Sequence, residues 1–392
     1  MKKIIAATCL LCFLNSLKAQ QDSSCNVRIS LLTCSPGEDL YTTWGHSALR
    51  VVDRSSNSDI IYNYGTFDFD DPGFYSKFTR GKLLYFVSVQ KFEGFLEEYQ
   101  YYQRGITEQV LDLSCSEKIK LDLALQENAK EENKYYKYDF TVDNCTTRLR
   151  DIVFKNAGST IITKDIRPSQ KITFRKLINK YLDSSYQYWS KFGIDILLGT
   201  PLDKKLTNDE AMFLPDYLLK GFDSTSLDGF AGRSLVLEKK EILKPTLPKP
   251  ESSFFTPLLV FTILFFLVLV LSILKNTGVF FSIFDFMLFF LSGTLGVFIL
   301  FMWFGTDHPE CKNNFNVAWA LPFHFIVIFF LFGKWRWLKY YFLINSMLLV
   351  LLLVTWRWLP QQMNNALVPV VCLLLIRSYA QYNKLKGRRR IS

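Results

Sequence analysis

Beyond Phe254 the chain stops mixing charge with apolar residues, and that change restricts its architecture more than any other feature. Apolar runs follow at about Phe254–Leu274, Val279–Phe304, Phe315–Gly333, Leu338–Val354 and Met363–Tyr382. Each is close to the ~20 residues a helix needs to cross a hydrocarbon core. An all-α transmembrane bundle of about five spans is therefore expected over 254–383. The basic residues give its orientation. Lys275, then Lys334, Arg336 and Lys339, then Arg377 and the tail 384–392 fall on one side; the opposite loops hold Lys312 and Arg357. Such asymmetry marks the cytoplasmic face, which puts the preceding domain outside and the C-terminus in the cytoplasm.

The N-terminus supports the same orientation independently. Lys2 and Lys3, the apolar stretch Ile4–Leu14 and the cleavage-like Ser16-Leu17-Lys18-Ala19 read as a signal peptide, 1–19. No lipobox leads to a cysteine, so export without lipidation is expected. Cys9 and Cys12 would leave with the signal, and Cys25, Cys34 and Cys115 have the means to form one bridge in an oxidising compartment, in a pairing left open. Residues 20–160 are expected to form the exported domain, and 161–250 a helical extension ending in the Pro-rich linker Leu243–Pro250. Trp189 and Asp203 lie in that extension without an assigned task. The formal charge of +10 sits largely beside apolar segments, where it fixes orientation rather than binding nucleic acid.

The whole chain has three histidines, His46, His308 and His324. That scarcity excludes a zinc site in the exported domain, and no metal or cofactor is expected. It also leaves His46 as the exported domain's one candidate for a general base working at neutral pH. Gly45 opens a β-rich run through His46 that is followed by a polar turn at Arg54–Ser58 and the run Asp59–Gly65, the pattern of a hairpin. A polar side chain on the second strand would reach the His46 ring, and Asn63 is the expected orienter, with Tyr62 and Tyr64 as fallbacks on the other face.

The nucleophile candidate is Cys145. Asp143 or Asn144 is a good N-cap, Leu149, Ile152 and Val153 have helical spacing, and Gly158 is a stop. Cys145 would then occupy the first turn of a helix, where free N–H groups and the dipole lower a thiol's pKa and stabilise an oxyanion. A Cys–His pair with a third group orienting the ring is the arrangement of a thiol enzyme. The order His, Asn, Cys is that of a circularly permuted papain-like fold, so an α+β permuted papain-like domain is expected ahead of the bundle.

The segments Leu32–Gly37, Trp44–Val51, Tyr62–Phe69 and Asn144–Arg148 resemble the N-terminal periplasmic domain of the Lnb family, bacterial lipoprotein N-acyltransferases. Trp44 stands where the family usually has Phe. Met212–Asp216, Asp307-His308-Pro309, Asn314–Trp319 and Pro322 resemble the rest of that family's pattern. More remotely, His on a strand followed by Asn-Cys on a helix is similar to the lecithin:retinol acyltransferase group. The resemblance implies a phospholipid acyl donor, a lipoprotein acceptor, and an inner-membrane enzyme that carries the acyl chain on Cys145. His308, Asn316, Arg148 and Tyr64 become possible substrate or headgroup contacts, and Arg50, Arg80 and Arg150 are further basic residues without an assigned ligand. Asn316 and His324, within or near a span, and Asp285, inside the second, are expected to face the bundle interior. Two other readings fit the same residues: a periplasmic cysteine peptidase or cell-wall amidase, and a non-catalytic membrane-anchored binding module.

Overall fold

The computed structural model describes residues 25–158, 160–229, 232–246, 251, 253–274, 278–333 and 335–387. The expected signal peptide, Lys275, Lys334, the end of the Pro-rich linker and the end of the basic tail lie outside those residues. The exported domain is built on one seven-stranded antiparallel sheet. Its strands are β1 (Val27–Cys34), β2 (His46–Asp53), β3 (Ser58–Thr66), β4 (Leu84–Lys91), β5 (Ile106–Leu111), β6 (Tyr135–Lys137) and β7 (Val236–Leu243), in the spatial order β6-β4-β3-β2-β1-β5-β7. The expected hairpin is β2–β3, with Leu49 opposite Tyr62.

Between the strands run α1 (Phe74–Thr79), α2 (Phe92–Tyr101), α3 (Cys115–Asn128) and α4 (Cys145–Asn156), and after them α5 (Phe174–Ser184), α6 (Tyr188–Leu197) and α7 (Pro215–Asp223). Helices cover both faces of the sheet, which is why β1 is buried along most of its length. On one face Leu121, Leu125, Leu149, Val153, Leu218 and Phe222 pack on Leu31, Leu49 and Tyr62. On the other, Phe95 and Tyr99 of α2 cover Leu32, Ala48 and Ile61. Each fully buried aliphatic side chain here contributes ~1.5–3 kcal/mol. Cys25 and Cys115 form a disulfide. Cys34 stays a buried thiol, and burial pushes its pKa up to about 12. Cys145 is left unpaired in any bridge.

The membrane region consists of α8 (Pro257–Leu271), α9 (Gly278–Phe304), the short α10 (Phe323–Val327), α11 (Trp337–Thr355) and α12 (Leu367–Gly387). Among the described residues two helices are long and apolar enough to cross a membrane, Gly278–Phe304 and Trp337–Trp358. A third candidate is bent by 51° between Pro309–Ala318 and Phe323–Phe330. The expected continuous span Phe315–Gly333 is thus corrected to a broken segment. Its polar start turns away to bond the exported domain through Asn314 and Asn316, and Pro322 interrupts the chain before α10. Gly293 and Gly296 let this segment lie against α9: a Cβ on Gly293 would stand 2.2 Å from the Phe325 nitrogen, and one on Gly296 1.9 Å from the Ala320 oxygen. The outer expected spans also shift, since the first holds only the 15 residues of α8 and the last begins at Leu367 rather than Met363.

The polar groups inside the bundle hold helices together. Arg377 of α12 donates to both carboxylate oxygens of Asp285 on α9 at 2.6 and 2.8 Å, and Gln381 adds a third bond. Asn345 bonds Ser378 at 2.8 Å, and His324 bonds Ser292 at 2.9 Å. Asp285 and His324 are fully buried, as their position in the sequence implied.

Candidate active site

His46, Asn63 and Cys145 meet at one end of the sheet. His46 is the first residue of β2, opposite Cys34 at the end of β1. Asn63 lies near the end of β3 and is 6% exposed. The imidazole Nε2 donates to Asn63 Oδ1 at 3.2 Å, which leaves Nδ1 as the ring's free basic nitrogen. The imidazole acts on the neighbouring Cys145 thiol and favours its ionised form.

Cys145 is the first residue of α4, with Asn144 as N-cap. Burial pushes its thiol pKa up. The His46 hydrogen bond and charge, the Thr146 hydroxyl and the Ser47 N–H more than offset this, so the thiol lies below its ordinary value. β3 has to pass very close to this cysteine. Gly65 permits it, with a φ of +85° and only 3.4 Å between an added Cβ and Cys145 Cβ.

The helix start differs from expectation in one respect. Asn144 Oδ1 accepts from the N–H groups of Thr146 and Thr147 at 2.8 and 2.9 Å. A capping side chain that good consumes the donors expected to hold an oxyanion. Among the described residues the Cys145 N–H is the first-turn donor without an internal acceptor, and the Ser47 N–H points at the same sulfur.

The remaining sequence candidates lie elsewhere. Tyr64 is fully buried in the core, and its hydroxyl accepts from Asn128. Arg148 forks onto Asp143 at 2.5 and 2.8 Å and stacks on the Tyr136 ring. Arg50 is paired with Asp59 and Glu108, and Arg150 with Asp151. Asn316 is fully buried, donating to the carbonyls of Asp195 and Ile196 and accepting from Trp319. His308 donates from Nε2 to the Phe78 carbonyl at 2.9 Å. Its loop is therefore docked on the exported domain, joined by the Lys137–Asp307 pair at 3.0 Å and the Asp307 N–H on the Arg80 carbonyl.

Four features were missed in the sequence. Tyr138 lies next to Cys145, both against Gly65, and stacks on Tyr85 at 4.4 Å. Beside it lies a largely apolar cavity of about 260 Å³ with Trp44, Tyr85, Tyr138 and Phe140 in its wall, closed on one side by the loop Asp307–Glu310. Glu310 faces Asp139 there; burial and the Asp139 carboxylate push its pKa up to about 8. Arg175 anchors a buried junction beyond the cavity, bonding Asp203, Asp195 and the carbonyls of Leu198 and Gly199. The aromatic wall had a signal in the dense Tyr and Phe of 135–140; the carboxyl pair, split between distant segments, had none.

Two family models match the chain: the Lnb N-terminal periplasmic domain over residues 15–180 and the Lnb transmembrane domain over 249–388. The chain belongs to the Lnb family. It therefore combines a periplasmic N-terminal domain with a transmembrane domain. No curated protein and no solved structure shows significant similarity to it.

Proposed function

We propose that this Lnb family member moves a fatty acyl chain from a phospholipid, through a thioester on Cys145, to the N-terminal amine of a diacylglyceryl lipoprotein at the periplasmic face of the inner membrane. The observation that carries the proposal is a thiol of lowered pKa at a helix start, reached by an imidazole whose far nitrogen Asn63 holds, beside an apolar cavity closed by the membrane domain. Family membership favours the same reaction.

His46 Nδ1 takes the Cys145 proton, and the thiolate attacks the carbonyl carbon of the phospholipid ester. The Cys145 and Ser47 N–H groups are the donors nearest the sulfur for the tetrahedral oxyanion. Collapse breaks the C–O bond; the imidazolium protonates the departing glycerol oxygen, and a lysophospholipid leaves. The lipoprotein amine then attacks the thioester carbonyl and gives its proton to His46. Collapse breaks the C–S bond, releases the amide product, and the proton returns from His46 to the thiolate. Asn63 orients the ring throughout and is a positioning residue. The chain order His46, Asn63, Cys145 agrees with a permuted papain-like domain.

The membrane domain supplies proximity, since both substrates carry acyl chains that must reach the thiol from the bilayer. Five spans with the C-terminus in the cytoplasm belong to this reading, with α8, the bent segment and α12 joining the two long helices. The peptidase or amidase alternative calls for a polar peptide groove rather than an apolar cavity, and a binding module has no use for a lowered thiol pKa.

The test is mass spectrometry of lipoprotein N-termini from cells lacking the gene. Triacylated termini should disappear, return with the wild-type gene, and fail to return with Cys145→Ala or His46→Ala. Triacylated termini that persist without the gene would refute the assignment.

A further inference from the structure

The cavity beside Cys145 joins three parts of the molecule that share no sequence neighbourhood. Trp44, Tyr138 and Phe140 form the wall on the catalytic side, and Ile178, Ile194 and Leu198 of α5, α6 and the turn after it line it as well. Trp44 is two residues from His46, and its indole N–H donates to the Ile178 carbonyl at 3.3 Å, which joins the two walls. Tyr138 lies next to Cys145 at Gly65 and also lines the cavity. Tyr138 is thus the lining residue that stands between the cavity and Cys145.

One of its walls belongs to α6, a helix that also contacts the membrane region. Helix α6 rests on the first apolar helix, with Trp189 and Phe192 packed on the Phe261 ring at 5.8 and 5.2 Å. The acidic and histidine lining residues are gathered in the loop Asp307–Glu310, and the remaining walls are largely apolar. Asp195, Asn179 and Asp203 turn their polar groups the other way, into the Arg175 junction. Thus α5 and α6 present an apolar face to the cavity and a polar face to the junction.

We propose that this cavity receives the fatty acyl chain carried on Cys145, and that Ile194 and Leu198 set its preferred chain length. The inference rests on the acyltransferase reading and deepens it. A chain seated there leaves the bilayer along α6, passes Tyr138, and presents its carbonyl to the sulfur. Its hydrocarbon is then kept from water while the thioester waits for the amine. Specificity would follow from volume, since a methylene gained or lost in an apolar pocket changes discrimination by ~10–200-fold.

The experiment offers the full-length protein in mixed micelles an equimolar mixture of dioctanoyl- and dipalmitoyl-phosphatidylethanolamine, and reads the ratio of the two thioesters on Cys145 by mass. Ile194→Trp, which fills the cavity, should raise the short-to-long ratio by about tenfold or more. Leu198→Ala, which enlarges it, should lower the ratio and serves if the larger side chain prevents folding. A ratio unchanged in both variants, with thioesters still forming, overturns the chain site and leaves the catalytic reading standing. Absence of any thioester on the wild-type protein overturns both.

Discussion

Two polar hubs lie within the periplasmic portion of this chain, and they are built to opposite rules. Around Arg175 every nitrogen of a guanidinium that is 1% exposed is engaged, by two carboxylates and two backbone carbonyls. Asn364, from the turn before α12, adds a bond to Asp195 at 2.8 Å, and Gln361 bonds the Leu198 carbonyl. Around His46, by contrast, one ring nitrogen is held by Asn63 and the imidazole acts on the neighbouring Cys145 thiol. The guanidinium of the first hub is saturated, and the hub fixes one domain to the other. The second keeps the Cys145 N–H uncommitted among the described residues. Saturation marks structure, and incomplete pairing in a half-buried place marks chemistry.

Substitutions separate the two rules. The largest effect is expected for Cys145→Ala, which should lower acyl transfer by ~10⁴-fold or more while thermal unfolding stays near that of the wild type. Arg175→Ala should do the reverse. It strands Asp195 and Asp203 without their partner and should cost about 3–5 kcal/mol of stability, read by thermal or denaturant unfolding. An Arg175→Ala protein as stable as the wild type would erase the distinction.

Asn63→Ala falls between them. Loss of a hydrogen bond to a group that becomes charged predicts a drop of about 10- to 100-fold in turnover. The pH at which Cys145 alkylation by iodoacetamide reaches half its maximum should also move upward, because a less firmly held imidazolium stabilises the thiolate less. A purely structural asparagine would leave that midpoint in place.

The smallest effect concerns Glu310. Its carboxyl is buried against Asp139 and its pKa is raised from 4.5 to about 8. The folded state therefore binds a proton that the unfolded chain releases. The stability from the docked loop is fully present below about 4.5 and declines as pH rises through about 8. Glu310→Gln should flatten the fall in melting temperature across that window, and an unchanged slope would assign it to other groups.

The sequence made the second hub far more readable than the first. Three histidines in the chain, a strand turn at Gly45 and an Asn-Cys pair before a helical pattern are local signals, and each drew attention to a residue that reaches the site. Asn144 was also legible as a cap, and a cap of that kind already implies that the Thr146 and Thr147 N–H groups are spent. The Arg175 hub depends on Asp195, Asp203, Gln361 and Asn364 meeting across domains, and no periodicity encodes that. Asn316 shows the same limit: it reads as a polar residue within a span, whereas its amide leaves the bundle for the Asp195 and Ile196 carbonyls. The broken third span has the same cause, because hydropathy counts apolar residues and does not see which backbone must turn aside.

The most direct measurement of the central claim is the intact mass of the purified full-length protein after incubation with phosphatidylethanolamine and no acceptor. A single added acyl group, located on the Cys145 peptide, released by hydroxylamine and absent from Cys145→Ala and His46→Ala, is the predicted result. Acylation at another residue, or an unmodified Cys145 alongside continued lipoprotein acylation, would contradict it.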